Sequence, residues 1–211
     1  MKKLFASLVM IALSQLAFAG DPKAGEAKIA TCTACHGADG NSPAPAFPSL
    51  AGQHANYTLK QLQDMKKTLA EGGRPVVEMT GMLDPFSDQD LADIAAFYAA
   101  QTIKGQTTSA DLLELGETVY RGGIPKKQVA SCAGCHAPDG RGNRGAGYPL
   151  LAGQHAAYIE KQLRAFRLGA DEPEAQGARI NDGDARTMRD VAANMSDLEI
   201  RAVASFIAGL R

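Results

Sequence analysis

The apolar positions of the chain follow a helical period in four places. The segment from 55 to 70 carries its apolar residues on one face, and a later counterpart does the same. Ser196 and Glu199 form a capping-box signature for a C-terminal helix, and Ser87 with Asp90 begins its equivalent in the first half. The apolar faces comprise Leu62, Met65 and Leu69; Leu163 and Phe166; Leu91, Ile94, Phe97 and Tyr98; and Ile200, Val203, Phe206, Ile207 and Leu210. Since no segment alternates convincingly with the period of a strand, we predict an all-α fold.

The two halves of the chain match each other along most of their length. Residues 48–54 match residues 149–155 at an offset of 101, and the two capping serines match at an offset of 109. Gly25 and Gly116 occupy equivalent places on the first helix of each half, where a glycine permits a close crossing with the last helix. The growing offsets locate insertions in the second half, around 121–127 and 173–184.

These matches predict two domains of similar length, at 20–103 and 111–211, joined by the polar linker 104–110. Residues 1–19 are predicted to be a secretory signal peptide, with two lysines, a short apolar run and a cleavage site after Ala19. A membrane anchor is disfavoured because the apolar run is shorter than the roughly 20 residues needed to span a bilayer. Cleavage leaves 192 of the 211 residues, and in a Gram-negative host the destination is the periplasm.

Every cysteine of the chain lies in one of two Cys-X-X-Cys-His pentapeptides. Their residues are Cys32, Cys35 and His36, and, 100 residues later, Cys132, Cys135 and His136. Two thiolates at this spacing can each add to a haem vinyl group, and the adjacent imidazole is delivered to the iron as an axial ligand. The sequence therefore predicts two covalently attached c-type haems, one in each domain.

Other sites also use the Cys-X-X-Cys spacing, namely thioredoxin-like redox sites, half zinc sites and short-range disulfides. A thioredoxin-like site requires a βαβ context, whereas the flanking segments 24–33 and 128–133 are predicted to be helical. A zinc site of this type would need a fourth ligand at comparable spacing in both halves. Haem attachment is therefore the favoured interpretation.

Methionine is the residue expected at the second axial position, because a thioether holds the iron low-spin and raises its potential. When the halves are aligned on their capping serines, Met79 and Met188 coincide, each eight residues before the serine. Met82 is the main competitor in the first domain. Met65 and Met195 are interpreted as core residues.

Two further pairs of duplicated residues have candidate roles near the haems. His54 and His155 are alternative axial ligands that would give bis-histidine haems, but their place at the start of a helix favours capping, surface or propionate contacts. The second pair, Pro48 and Pro149, is a candidate for hydrogen bonding to the proximal histidines. A backbone carbonyl near each proline is the candidate acceptor for the second ring nitrogen of the proximal histidine. The alternative is that each proline only makes the loop rigid and that the loop makes no bond to the histidine.

With these motifs the chain resembles the diheme cytochrome c4 family, in which two class I cytochrome c domains follow one another. The resemblance covers all 192 mature residues and includes the two Pro-X-Leu-X-Gly-Gln-His segments. It implies that His36 with Met79 and His136 with Met188 bind the two irons. It also implies that the haem propionate edges face each other, and that electrons pass between the haems and on to a terminal oxidase.

Among function classes, a periplasmic electron carrier between a quinol-oxidising complex and a terminal oxidase is favoured over an enzyme. The alternative is the cytochrome subunit of a periplasmic dehydrogenase, similar to flavocytochrome c sulfide dehydrogenase. A diheme peroxidase is less favoured, because methionine at both sixth positions leaves neither iron open to substrate. The sequence has no basic stripe with interleaved aromatic residues, so nothing in it indicates binding to nucleic acid. Peripheral association with a membrane stays open.

Charge is distributed unevenly between the two domains. Residues 20–211 contain 20 basic and 23 acidic side chains, a net charge of −3, with −4 in residues 20–103 and +1 in residues 104–211. Negative surroundings favour ferric over ferrous haem, so we predict that the first haem has the lower potential. Screening of exposed charges within roughly 10 Å opposes this effect.

Overall fold

The protein is built from short α-helices joined by turns. The computed structural model describes residues 20–211, so the predicted signal peptide lies outside the described residues. Over this range the α-helices are α1 (Pro22–Glu26), α2 (Thr33–His36), α3 (Ala55–Met65), α4 (Asp88–Ala99), α5 (Leu113–Gly122), α6 (Ala133–His136), α7 (Ala156–Asp171), α8 (Thr187–Ala193) and α9 (Asp197–Gly209). Four 3-10 turns span Leu69–Glu71, Val77–Met79, Ala110–Leu112 and Pro125–Lys127. In this part of the chain β structure is limited to two isolated bridges, which confirms the all-α prediction.

The first and last helices of each half cross at a glycine, with α1 packed on α4 and α5 packed on α9. A Cβ atom on Gly25 would lie 2.1 Å from the carbonyl oxygen of Asp93, and one on Gly116 would lie 2.3 Å from that of Ala202. Because a side chain at either position would force the helices apart, the predicted role of both glycines is confirmed.

The last helix of each half begins as predicted and carries the core. The Ser87 amide donates to the Asp90 carboxylate at 2.9 Å, and the Ser196 amide donates to that of Glu199 at 2.7 Å. Each serine hydroxyl in turn accepts from the backbone amide three residues on, so both capping boxes are complete. The core of the first half contains Ile29, Ile94, Phe97 and Tyr98, and that of the second includes Val119, Tyr120, Ile159, Leu163, Ile200, Val203, Phe206 and Ile207.

Three predicted helical segments differ from the structure. α3 ends at Met65 rather than at residue 70, because Thr68 caps a separate 3-10 turn through Glu71. Over 24–33 the α-helix ends at Glu26 and turns follow. The helix predicted over 128–133 is wrong, since Gln128 adopts a left-handed conformation with φ 59° and the next residue forms a β-bridge.

The segment 104–110, which has no regular secondary structure before the 3-10 turn that begins at Ala110, is hydrogen-bonded to both halves. The Lys104 amide donates to the side chain of Asn41 at 2.8 Å, and the Ser109 amide donates to Ser205 Oγ at 2.9 Å. The boundaries of the two domains stay a prediction. None of the helices within residues 20–211 has the length and apolarity needed to cross a membrane.

Candidate functional site

One continuous cavity of about 1360 Å³ reaches into both domains. All four cysteines line it, together with both motif histidines, Met79 and Met188. Pockets for one drug-sized ligand hold roughly 300–1,000 Å³, so this cavity exceeds the usual size for a single small molecule. The structure therefore brings all eight predicted site residues to the walls of one space.

The motif histidines end the single-turn helices α2 and α6 and are buried, with 8 % of His36 and 5 % of His136 exposed. His36 Nδ1 lies 2.8 Å from the carbonyl oxygen of Pro48, and His136 Nδ1 lies 3.0 Å from that of Pro149. These contacts confirm the predicted backbone acceptors. A carbonyl can only accept, so Nδ1 carries the proton in a neutral ring and Nε2 keeps its lone pair. Burial lowers the pKa of both imidazoles, which favours that neutral form, while the carbonyl contact opposes the shift.

The methionines differ in their relation to the cavity. Met79 ends a 3-10 turn and Met188 lies in α8, and both are half-buried in the cavity wall. Met82 is 40 % exposed and is not part of that wall, which favours Met79 as the thioether of the first domain. Met65 and Met195 also border the cavity, and Met195 is buried in the core of the second half as expected.

The structure places His54 and His155 in the contact between the two domains. His54 Nε2 donates to the carbonyl of Arg141 at 3.0 Å, and His155 Nε2 donates to that of Ser42 at 2.9 Å. Both histidines occupy the N-cap positions of α3 and α7, but neither side chain caps its helix. Their role as a reciprocal pair of interdomain contacts was not predicted, because the partners lie 87 and 113 residues away in sequence.

Two buried arginines meet where the domains face each other, and both line the cavity. Arg74 and Arg179 are each 6 % exposed. Their donors contact neutral oxygens: Arg74 binds Gln61, Tyr158 and Gln162, and Arg179 binds Tyr57, Gln61, Gln162 and Asn181. Within residues 20–211 no carboxylate forms an ion pair with either guanidinium. Burial, together with the nearby charge of Arg74, lowers the pKa of Arg179.

Buried cations are normally paired, so this arginine pair is chemically suited to an anionic group in the cavity. Haem propionates supply such groups. The pair was not predicted from the sequence, although a duplicated Gly-X-Arg at an offset of 105 marks both residues.

Two hydroxyl groups of the wall have no hydrogen-bond partner among the described residues. Thr58 Oγ1 and the Tyr98 hydroxyl are fully buried and make no hydrogen bond. Paired thiols, imidazoles with a free Nε2, thioethers, arginines and unpaired hydroxyls together fit the two predicted haems. By contrast, residues 20–211 contain no cluster of three His, Cys, Asp or Glu side chains arranged to hold a metal ion directly.

Comparisons with known proteins agree with this chemistry. The family model described as cytochrome c matches residues 23–100 and 115–211. The chain is 50 % identical over 215 residues to cytochrome c4 of Azotobacter vinelandii, with 99 % of each chain covered. It superposes on the crystal structure of reduced recombinant cytochrome c4 from Pseudomonas stutzeri with a TM-score of 0.85 and 52 % identity, over 92 % of this chain and 100 % of that one. A more distant relative, 34 % identical over 85 % of this chain and 78 % of its own length, is the thiosulfate dehydrogenase electron acceptor of Thiomonas intermedia.

Proposed function

The chain belongs to the diheme cytochrome c4 family, and on that premise we propose that it carries electrons in the periplasm from a quinol-oxidising complex towards a terminal oxidase. It is an electron-transfer protein with two tandem cytochrome c domains and two covalently attached c-type haems, one in each domain. We further propose which residues hold the haems, in which compartment the protein acts and with which partners it exchanges electrons. The observation that carries it is the shared cavity, whose walls contain both attachment motifs and both methionines.

We propose that each domain supplies the complete set of residues that attach one haem and ligate its iron. Cys32, Cys35, His36 and Met79 would hold the first haem, and Cys132, Cys135, His136 and Met188 the second. When bound, each c-type haem supplies a reversible one-electron iron couple. The hydrogen bonds to the prolyl carbonyls fix the proton on Nδ1 and keep Nε2 available, and burial of both histidines limits the access of water to their rings. The paired arginines would balance propionate charge at the point where the domains meet.

The ligand assignment is tested by replacing one methionine at a time in the haem-loaded protein. Met79→Leu removes a thioether while keeping an apolar side chain of similar volume, so the ferric methionine-ligation band should fall by about half and the first haem should lose potential. Met82→Leu is the matched control and should leave both the band and the potentials unchanged. The assignment of Met79 is overturned if Met82→Leu halves the band and lowers the potential of the first haem while Met79→Leu leaves both unchanged.

A thiosulfate dehydrogenase is the second candidate electron donor. The more distant relatives suggest it, because their name identifies them as electron acceptors of thiosulfate dehydrogenase. The same haem chemistry would serve a periplasmic dehydrogenase, so the partner must be tested separately. Reduction of the chain is followed in the ferrous haem bands with host membranes plus quinol, and with periplasmic extract plus thiosulfate. Quinol-driven reduction, blocked by an inhibitor of the quinol-oxidising complex, with reoxidation by membranes and oxygen, supports the respiratory role. Reduction confined to the thiosulfate arm supports the dehydrogenase role instead.

A further inference from the structure

A glutamine of the second domain binds the peptide group that holds the motif histidine of the first. Gln154 Oε1 accepts from the Ser49 amide at 2.9 Å, and Gln154 Nε2 donates to the Ser49 carbonyl at 2.8 Å. The Ser49 N–H and the Pro48 carbonyl are the two ends of one peptide group. That carbonyl is the acceptor for His36 Nδ1. A continuous path of hydrogen bonds therefore joins Gln154 to the proximal histidine of the other domain.

An equivalent contact runs in the opposite direction, from a glutamine of the first domain to the second. Gln53 Oε1 accepts from the Leu150 amide at 3.0 Å, and Gln53 Nε2 donates to the Leu150 carbonyl at 2.9 Å. The Leu150 amide shares its peptide group with the Pro149 carbonyl, which contacts His136 Nδ1. The two paths are thus equivalent, although Gln154 is buried and Gln53 is half-buried.

A peptide group is planar, so a partner that fixes its N–H also fixes the direction of its carbonyl. Hydrogen bonds in a chain polarise one another, and a donating N–H makes the carbonyl of the same group a stronger acceptor. A stronger acceptor at Nδ1 raises the basicity of an axial histidine, which stabilises the ferric state and lowers the potential.

We propose that Gln154 and Gln53 are positioning residues that act across the domain interface. Gln154 strengthens the hydrogen bond at His36 and lowers the potential of the first haem, and Gln53 does the same at His136 for the second. This inference rests on the proposed axial roles of the two histidines. Each domain thereby adjusts the haem of its neighbour without contacting the iron.

The test compares Gln154→Ala with Gln53→Ala in the full, haem-loaded chain. Two quantities are measured for each domain: the midpoint potential, and the NMR shift of the histidine Nδ1–H in the ferric protein. Gln154→Ala should raise the potential of the first haem and move the His36 signal. Gln53→Ala should do the same for the second haem and His136. The crossed pattern is the expected result, because a general loss of stability would not select the opposite domain.

Asn56→Ala is the matched control. Asn56 Nδ2 donates across the interface to the Arg144 carbonyl at 2.8 Å, away from either proximal peptide group. It should leave both histidine signals in place. An equal effect of Asn56→Ala, a shift in the glutamine's own domain, or no shift at all overturns the inference.

Absence of axial-histidine signals in the parent protein would overturn the ligand assignment and this inference with it. Signals that are present but do not move would overturn the inference alone. If Gln154→Ala does not accumulate as folded protein, the test is made with Gln53→Ala alone, because Gln53 is half-buried. The potential of the second haem and the His136 signal are then measured.

Discussion

The crossing of α5 and α9 leaves no space for a methyl group at Gly116. In Gly116→Ala the new Cβ would lie 2.3 Å from the Ala202 carbonyl oxygen and 2.7 Å from Phe206 Cβ, where real Cβ contacts essentially never fall below 3.0 Å. The helices must separate by at least about 0.7 Å, because a backbone carbonyl cannot rotate away as a side chain can. Overpacking of this kind costs about 1–3 kcal/mol. Because the clash is with rigid backbone, we expect a cost in the upper part of that range, about 2–3 kcal/mol. The higher helix propensity of alanine returns about 1 kcal/mol, which leaves a net loss of about 1–2 kcal/mol.

Gly122→Ala is the control, since Gly122 lies in the same helix with no atom within 4 Å of its Cβ position. It should be neutral or stabilising by up to about 1 kcal/mol. Thermal unfolding of the haem-loaded chain, followed by far-UV circular dichroism, should show Gly116→Ala melting about 4–16 °C lower, at 4–8 °C per kcal/mol for a domain of this size. A Gly116→Ala protein as stable as the parent, or an equal loss in Gly122→Ala, would refute the close-contact reasoning.

Two electrostatic predictions concern the first domain. Lys28, at 2.5 Å, holds the pKa of the Asp93 carboxyl below its ordinary value. The stabilisation is therefore present above the unfolded pKa of about 3.9 and is lost as pH falls through the folded pKa. Asp93→Asn should cost about 1–2 kcal/mol in urea unfolding at pH 7, and this difference from the parent should shrink below about pH 4. Asp64→Asn removes a buried negative charge and should raise the potential of the first haem by more than the exposed control Asp88→Asn, whose charge is screened. The net charge of the first domain is also expected to give its haem the lower potential. A site-resolved redox titration in which the first haem of the parent protein has the higher potential would contradict that expectation.

Features set by local spacing and by the internal repeat could be predicted from the sequence. The capping boxes depend on residues three apart, and the helix-crossing glycines and prolyl acceptors are present in both halves. The failures have different causes. The helix expected over 128–133 is replaced by a tight turn at Gln128, a non-glycine residue with no strong signal for a left-handed conformation. The buried arginines were missed because their tyrosine partners lie 84 and 122 residues away, so they become recognisable only when the two domains meet.

The contact between the domains is reciprocal because it is made by two copies of one sequence. Equivalent residues that face each other bind each other's backbone or side chains, as in a two-fold dimer interface. The duplicated residues in this contact are Gln53 and Gln154, His54 and His155, Tyr57 and Tyr158, and Arg74 and Arg179. A duplicated polar residue with no role in attaching the haem or ligating its iron is therefore a signal for the interface between repeats. Asp64 breaks the reciprocity, since alanine occupies the equivalent position 165 while Asp64 accepts from Asn181 across the interface at 2.8 Å. Because the two proposed ligand sets are the same, we expect unduplicated residues such as Asp64 to make the two haems different.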